Sequence, residues 1–331
     1  MAETTALQVG SKEWLEERRS GIGGSDAAAV LGISRYASPM KVYLEKTGEL
    51  EPFAGNEYTE WGNILEPVIR EQFQQRTGFV VEENLELLRS EKHPFMVAHL
   101  DGIICCEKEK TPGVLEIKNV SEWKEDEGQN GEAPAEYLVQ IQHNMEVTGF
   151  RWGYLVALIG GNHLEMLRVE RDENLIRQIV EAEREFWNEN IIKRVPPAFG
   201  ASDEDILKAL YPQAEEKKCI TLPPSLDVLL DERDTLKLRI KELESQLETI
   251  ENKLKGELGE AEKGVTQYHE VRWPNVYRLN EKQLLQEHPE LESIYQVTSF
   301  DSKAFKKDNP ELAAKYSEPA YRKFDVKELK V

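Results

Sequence analysis

The chain has 331 residues, 40% of them hydrophobic and 31% charged, which is typical of a soluble globular protein with enough residues for more than one domain. Its net charge of −20 argues against a nucleic-acid partner, because phosphate binding usually needs a basic surface. The charge is uneven, however: residues 262–331 carry 12 basic and 12 acidic side chains, so the whole deficit lies earlier in the chain. A basic groove can exist on an acidic protein, so net charge does not exclude nucleic acid.

Other protein classes are excluded by local patterns. No apolar run approaches the roughly 18 residues that a membrane span needs, and the first ten residues have neither a basic leader nor an apolar core. The three cysteines, Cys105, Cys106 and Cys219, have the spacing of neither a disulfide framework nor a zinc site. We therefore expect a cytoplasmic protein.

The first stretch, about residues 10–56, opens with a short helix around Trp14. A glycine-rich turn at 21–25 separates this helix from a second one, predicted over 26–31. Ser25 is predicted to cap the second helix, because a serine oxygen can accept a hydrogen bond from a free N–H group of the first turn.

The second stretch, about residues 57–195, alternates helical and strand patterns. Gly78 is placed to end its first helix, and Pro134 to start its second. The predicted elements are a helix, a β-hairpin, a helix, a second hairpin and a helix, over 57–77, 97–120, 134–148, 152–169 and 173–190.

The third stretch carries a heptad pattern. Seven leucine and isoleucine residues are spaced by 7, 4, 3, 4, 3 and 4 positions, with charged residues between them. This spacing predicts a coiled coil or a long helical hairpin over 226–258, which could oligomerise, bind a partner, brace DNA or pack within the chain. The predicted domains are a core over 10–200, a linker and coiled-coil segment over 201–258, and a small α+β region over 259–331.

The first hairpin carries a candidate metal site. Residues two apart on a strand face the same side, so Glu116 and Lys118 project together, while Ile117 points into the core and its carbonyl stays at the edge of the site. Asp101 lies on the neighbouring strand, which brings two carboxylates within reach of one cation. Such oxygen ligands suit Mg²⁺, and Lys118 can orient an attacking water. The alternative is a turn aspartate beside a solvated strand face.

A third carboxylate lies on the preceding helix. Glu66 is followed by Pro67, which removes the hydrogen bond to the carbonyl of Asn63 and costs about 3 kcal/mol. Directing Glu66 toward the site would be one reason for a helix to keep this proline. The other interpretation is a glutamate at the rim beside a tolerated kink.

These motifs resemble the PD-(D/E)xK nuclease superfamily, and within it the viral-recombinase nucleases of the YqaJ and phage lambda exonuclease type. The resemblance covers about residues 12–190. Leu100 stands where the superfamily has proline, at a position that is not a ligand. The matching motifs are Glu66-Pro67, Asp101-Gly102, Glu116-x-Lys118, Gln140-Ile141-Gln142 and the N-terminal signature from Trp14 to Asp26.

The resemblance implies an α/β fold with a restriction-endonuclease-like core, in which helices flank a mixed central sheet. It implies that Asp101, Glu116 and the Ile117 carbonyl bind Mg²⁺ or Mn²⁺, two ions with substrate bound, with Glu66 supporting the site and Lys118 catalytic. Members of the family degrade one strand of duplex DNA from its 5′ end beside a single-strand annealing protein, and form homo-oligomers, often trimeric rings. The expected setting is the cytoplasm of a bacterium that carries the phage or prophage.

A pocket for an anion is predicted at the glycine-rich turn. Arg18 and Ser25 lie across that turn, where a guanidinium, a hydroxyl and the N–H groups of a helix start can bind an anion together. The family resemblance makes this the pocket for the terminal 5′ phosphate, with Gln142 as a further contact and Gln140 close by. The alternative is a simple tight turn with Arg18 and both glutamines solvated.

Two other functions are compatible with these patterns. One is a nuclease of the same fold that acts on flaps, single strands or internal sites, and the other is a non-catalytic recombination adaptor that uses the coiled coil. His99 and His143 are expected to be ordinary hydrogen-bonded histidines, because no second soft ligand has suitable spacing. The tryptophans expected in the core are Trp14, Trp61 and Trp152.

Overall fold

A computed structural model describes residues 12–50, 55–83, 86–121, 133–290 and 300–316, and the side chains of Trp14 and Leu15 lie outside the described part. The chain divides into two compact units, residues 1–212 and 213–331. Among the described residues, no helix is long and apolar enough to cross a membrane.

The first unit contains the predicted helices and strands in the predicted order, together with helices at 39–47 and 204–210 and short strands at 80–82 and 88–89 that the sequence analysis did not predict. The helix predicted over 173–190 continues past Glu185 as a π-helical segment, Phe186–Ile192. The elements are α1 Lys12–Arg19, α2 Gly24–Val30, α3 Pro39–Thr47, α4 Glu57–Thr77, β1 Val80–Glu82, β2 Leu88–Arg89, β3 Val97–Ala98, β4 Gly102–Cys105, β5 Gly113–Val120, α5 Ala135–Thr148, β6 Trp152–Ile159, β7 His163–Glu170, α6 Glu173–Glu185 and α7 Glu204–Leu210.

Five strands of this unit form a mixed sheet in the order β1-β4-β5-β6-β7. β5 and β6 are parallel and the other neighbours are antiparallel. β5 lies in the middle of the sheet, and its first five residues are buried. Helices pack on this sheet, which confirms the predicted α/β class.

Two apolar clusters cover opposite faces of β5. Leu115 and Ile117 pack with Ile69 and Phe73 of α4, whereas Val114 packs in a cluster with residues of α2, α5 and α6. This alternation follows from the period of two along a strand. It assigns Glu116 and Lys118 to the face that α5 covers.

Two local predictions are corrected by the structure. Gly23, not Ser25, caps α2, and the side chain of Asp26 accepts a hydrogen bond of 2.9 Å from the backbone N–H of Gly23. Trp61 is not in the core: its side chain is 50% exposed on the first turns of α4, whereas Trp152 is buried as expected. Helical spacing alone could not separate the covered end of α4 from its projecting end.

The second unit contains one long helix and several short elements. The helical pattern predicted over 226–258 forms one continuous helix, α8 Asp227–Leu258, of 32 residues. The other elements, in chain order, are the 3₁₀ turn Pro224–Leu226, the antiparallel strands β8 Lys263–Val265 and β9 Glu270–Arg272, and the short helices α9 Glu281–Glu287, α10 Ser302–Asp308 and α11 Pro310–Lys315.

Candidate active site

Asp101, Glu116 and Lys118 meet where β4 begins beside β5. Gly102 pairs with Leu115 in the antiparallel register, so the next position places Asp101 opposite Glu116. Asp101 Oδ2 accepts a hydrogen bond of 2.7 Å from the backbone N–H of Ile117. Lys118 Nζ lies 2.5 Å from Glu116 Oε1. Two carboxylates and one amine therefore share one corner of the sheet, which we call the carboxylate corner.

These buried groups shift one another's pKa. Burial and the neighbouring Asp101 raise the pKa of Glu116 to about 7, against the opposing effect of Lys118. Burial also raises the pKa of Asp101, although Lys118 and the N–H of Ile117 oppose it. For Lys118, burial lowers the pKa, but Glu116 and Asp101 outweigh this effect and the pKa is raised. Lys118 is therefore an ammonium group at neutral pH and acts as a cation and hydrogen-bond donor.

Glu66 joins the carboxylate corner from α4, one residue before Pro67 within that helix. Burial, and then the charge of Asp101, raise the pKa of Glu66, while Arg70 lowers it. The Arg70 guanidinium lies 2.6 Å from Glu66 Oε1. Glu66 and Asp101 each contribute to the raised pKa of Glu116, so all three carboxylates lie in one electrostatic environment.

The chemistry of this corner fits a hard divalent cation. Asp101 and Glu116 bring carboxylate oxygens to the corner, and the backbone carbonyl of Ile117 follows Glu116 on the same strand; oxygen is the ligand class that Mg²⁺ and Mn²⁺ prefer. A bound cation would also offset the mutual repulsion of the carboxylates. Within the described ranges, no three His, Cys, Asp or Glu side chains form a ready-made metal cage. Hydrogen-bond donors of the protein occupy the two carboxylates: the N–H of Ile117 binds Asp101, and the side chains of Lys118 and Asn144 bind Glu116.

Two polar residues of α5, Asn144 and Gln140, hold the side chains of Glu116 and Lys118 in place. Asn144 Nδ2 donates a hydrogen bond of 3.1 Å to Glu116 Oε2, and Lys118 Nζ donates one of 3.0 Å to Gln140 Oε1. Gln140 and Asn144 are four residues apart, so they share one face of the helix. Each oxygen of Glu116 therefore has its own donor, and the ammonium group of Lys118 is held in one direction.

A cleft beside the carboxylate corner contains the predicted anion ligands Arg18, Ser25 and Gln140, and also Lys46. Lys46 Nζ lies 2.6 Å from Asp26 Oδ2, and the Arg18 guanidinium lies 3.7 Å from Asp26 Oδ1. Burial alone would raise the pKa of Asp26, but Lys46 and Arg18 outweigh it and hold that pKa below its ordinary value. The lining of the cleft therefore holds two cations and one carboxylate, while the carboxylates of Glu45 and Glu17 act on lining residues from outside it.

The cleft and the carboxylate corner are in contact. Gln140 lines the cleft while its side-chain oxygen binds Lys118. Gly24 also lines the cleft, and a Cβ atom added to it would lie 2.5 Å from Asn144 Oδ1. That oxygen is buried and has no hydrogen-bond partner among the described residues. An anion in the cleft would therefore lie next to the residues that orient Glu116 and Lys118.

Gln142 is placed elsewhere, so its predicted contact with the anion is corrected. Its side chain is buried: Nε2 donates to the carbonyl of Glu170 at 2.7 Å, and Oε1 accepts from the N–H of Asp172 at 2.9 Å. Residues two apart on a helix point in widely different directions, so Gln140 and Gln142 do not face one pocket. Gln142 instead joins α5 to the end of β7.

The two histidines have different surroundings. His143 is fully buried, with Nδ1 2.7 Å from Glu183 Oε1 and Nε2 2.9 Å from the carbonyl of Val97, which is the ordinary hydrogen-bonded histidine that we expected. His99 lines the cleft, and burial lowers its pKa. His99 is therefore uncharged at neutral pH and adds no cation to the cleft.

Three contributors to these sites were missing from the predictions. Arg70 lies four residues after Glu66, and Asn144 four residues after Gln140, so helical spacing from a predicted site residue could have identified both. Lys46 lies in the last turn of α3, and only the packing of α3 brings it to Asp26. No local signal in the sequence points to Lys46.

Comparisons with known proteins give one family. Residues 13–151 match the model of the YqaJ-like viral recombinase domain. The uncharacterized protein YqaJ of Bacillus subtilis (strain 168) is 34% identical over 301 residues, covering 88% of this chain and 93% of that protein. The uncharacterized protein R354 of Acanthamoeba polyphaga mimivirus is 29% identical over 150 residues, covering 42% of this chain and 27% of that protein. An alkaline exonuclease from Laribacter hongkongensis has 25% identity and a TM-score of 0.46, covering 56% of this chain and 97% of that chain.

Proposed function

This chain belongs to the YqaJ-like viral recombinase family, and we propose that it is a Mg²⁺-dependent 5′→3′ exonuclease that digests one strand of linear duplex DNA from a 5′-phosphorylated end. The observation that carries the proposal is the convergence of Asp101, Glu116 and Lys118 beside a cleft whose lining includes Arg18 and Lys46. The product would carry 3′ single-stranded DNA, on which strand-annealing recombination can act.

In this proposal Asp101, Glu116 and the Ile117 carbonyl hold Mg²⁺, with Glu66 supporting the site, and Mn²⁺ can replace Mg²⁺. One ion or, with substrate bound, two would activate the attacking water and stabilise the charge on the phosphate and the leaving 3′ oxygen. The oxygen donor set of the corner and its crowded carboxylates support this assignment.

The chain's own residues orient the reaction. Lys118, as an ammonium group fixed by Gln140, is placed to hold the attacking water or a phosphate oxygen through its remaining N–H group. Asn144 keeps the Glu116 carboxylate from rotating by binding its second oxygen. Water attacks the phosphorus, the bond to the 3′ oxygen breaks, and a proton passes to that oxygen.

The cleft is proposed to bind the terminal 5′ phosphate. Arg18 and Lys46 supply positive charge, and Ser25 and Gln140 supply hydrogen bonds. Because Gln140 also binds Lys118, a phosphate in the cleft would place the following phosphodiester near the carboxylate corner. Holding the chain end in this way would give the enzyme its direction. From the family resemblance we further propose a homo-oligomer, a trimeric ring, that works beside a single-strand annealing protein.

The chemistry is tested with linear duplex DNA labelled at either end and incubated with Mg²⁺, Ca²⁺ or EDTA. We expect release of the 5′ label first, in Mg²⁺ only, and no digestion by Asp101→Asn or Glu116→Gln. Asp205→Asn, at an exposed position on α7, is the matched control and should keep full activity. Digestion by Asp101→Asn at the wild-type rate would disprove the metal assignment.

End recognition has a separate test. The wild-type protein should prefer 5′-phosphorylated over 5′-hydroxyl duplex ends, and Arg18→Ala should lose this preference while still digesting hydroxyl ends. Arg177→Ala, an exposed arginine of α6, is the control. If Arg18→Ala keeps the preference, the cleft does not bind the terminal phosphate, although the carboxylate corner could still cleave. Equal digestion of circular duplex would instead favour an enzyme that cuts internally.

A further inference from the structure

The long helix α8 presents an apolar stripe that the described part of residues 213–331 leaves uncovered. Every residue of the stripe is between 43% and 58% exposed. A solvent-facing stripe of this length is unusual on a single helix, since surface helices normally bury their apolar side. The α8 stripe consists of Leu229, Leu236, Ile240, Leu243, Leu247, Ile250 and Leu254.

The spacing of the α8 stripe specifies another long helix as its partner. Alternating steps of three and four residues keep the stripe facing a second helix that winds around the first, which is the arrangement of a coiled coil. The other described helices of residues 213–331 have only seven, seven and six residues, too few to cover four heptads. Arg233 occupies the core position between Leu229 and Leu236.

The charges beside the α8 stripe fit a second copy of the same helix. In a parallel, in-register pair, the residue just before one core position faces, on the partner helix, the residue five positions further along. Glu232 of one helix would then face Lys237 of the other, and Arg239 would face Glu244. Both contacts join opposite charges, each occurs twice by symmetry, and Glu232 also lies beside Arg233 of the other helix. No pair of like charges arises at these flanking positions; in the core, Arg233 faces its own copy, with Glu232 of each helix beside the arginine of the other.

We infer that α8 binds α8 of a second copy of this chain as a parallel, in-register coiled coil, an arrangement that the three copies of the proposed ring can also form with one another. The inference rests on the stripe, its spacing and the charges along it, and not on the proposed nuclease activity. It gives residues 213–331 a role in self-association that is distinct from the chemistry of residues 1–212.

Disulfide cross-linking in the full-length protein tests this inference. Leu229→Cys places a thiol in a core layer near the start of α8, and Asp231→Cys places one on the opposite side of the same turn. Both are made with Cys219→Ser, because Cys219 is exposed. Under oxidised glutathione, Leu229→Cys should form a covalent pair of chains much faster than Asp231→Cys. In an antiparallel pair the thiols of the two Leu229→Cys chains would lie at opposite ends, so no such difference would be seen.

A charge swap makes the test specific to the proposed register. In the Leu229→Cys background, Lys237→Glu should slow cross-linking by about fivefold, because attraction to Glu232 becomes repulsion. Adding Glu232→Lys should speed cross-linking again, toward but not fully to the original rate, since the pair is again opposite in sign while the attraction of Glu232 to Arg233 of the other helix is lost. Equal rates for Leu229→Cys and Asp231→Cys, or no rescue by the second substitution, would overturn the inference. Contacts between copies elsewhere in the chain would affect both cysteine variants alike.

Discussion

The two units of this protein differ in where they place apolar and charged side chains. Residues 1–212 form cores of buried apolar side chains and bury, with them, carboxylates such as Asp26, Glu116 and Glu183. Residues 213–331 expose the α8 stripe and keep the charges of α8 at the surface. Burial of a carboxylate is costly unless it is paired or serves a site. In the first unit the buried carboxylates are therefore paired within the core or belong to the proposed sites, and in the second the exposed apolar side chains form a surface for another molecule.

The largest effect should come from removing equivalent leucines from the two units. Leu115→Ala deletes a fully buried side chain between β4, β6 and α4, and should lower the free energy of unfolding by about 2–5 kcal/mol. Leu243→Ala, at a residue 53% exposed, should cost less than about 1 kcal/mol in a dilute sample. Urea unfolding followed by circular dichroism measures both.

Concentration distinguishes the two leucines further. The effect of Leu243→Ala should grow as the protein concentration rises, because self-association through α8 then contributes to stability. The effect of Leu115→Ala should not change. A large, concentration-independent loss for Leu243→Ala would mean that the α8 stripe is covered within its own chain.

The next effect concerns the contact between the cleft and the carboxylate corner. Gly24→Ala would place a methyl group 2.5 Å from Asn144 Oδ1 and should cost about 1–3 kcal/mol, because Asn144 has to move. That movement should also disturb the bond from Asn144 to Glu116 and slow DNA cleavage. The double variant with Asn144→Ala should be no less stable than Asn144→Ala alone, and simple additivity of the two losses would contradict the clash.

The buried pair of His143 and Glu183 should make stability depend on pH. Burial lowers the pKa of His143, but Glu183 outweighs it and the net pKa is raised above 6.5; burial raises the pKa of Glu183. The folded state therefore holds protons that the unfolded state has already lost, so stability falls as pH rises through and above 6.5. Between pH 6.5 and 9, the urea midpoint should fall more for the wild type than for the double variant His143→Gln/Glu183→Gln; both residues are replaced because His143 holds down the raised pKa of Glu183. His163→Gln, at an exposed histidine, should behave as the wild type.

How far the sequence predicts this site depends on the range of the contacts. The pairing of β4 with β5 is local, so the positions of Asp101, Glu116 and Lys118 followed from strand alternation and one hairpin. Lys46 reaches the cleft only through the packing of α3, which no spacing in the sequence encodes.

The wrong predictions have the same origin. Gln140 and Gln142 belong to one motif, but the helical rotation between them sends one to the cleft and the other to the end of β7. Trp61 shares the apolar spacing of α4, but the sheet covers only the later turns of that helix. The spacing of residues along the sequence predicts which side chains share a face of a helix or strand. Tertiary packing decides which element covers that face.

The smallest predicted effect is a gain in stability at one glycine in each unit. Gly62 in α4 and Gly256 in α8 have open space around an added Cβ atom, so replacing either by alanine should raise stability by about 0.5–1 kcal/mol. Gly78→Ala is the control, because its φ of 74° is unfavourable for alanine, and this variant should lose stability. Gly256 lies outside the core positions of the α8 stripe. Gly256→Ala should therefore leave the cross-linking of Leu229→Cys as fast as before or faster, whereas a slower rate would place a partner on the opposite side of α8.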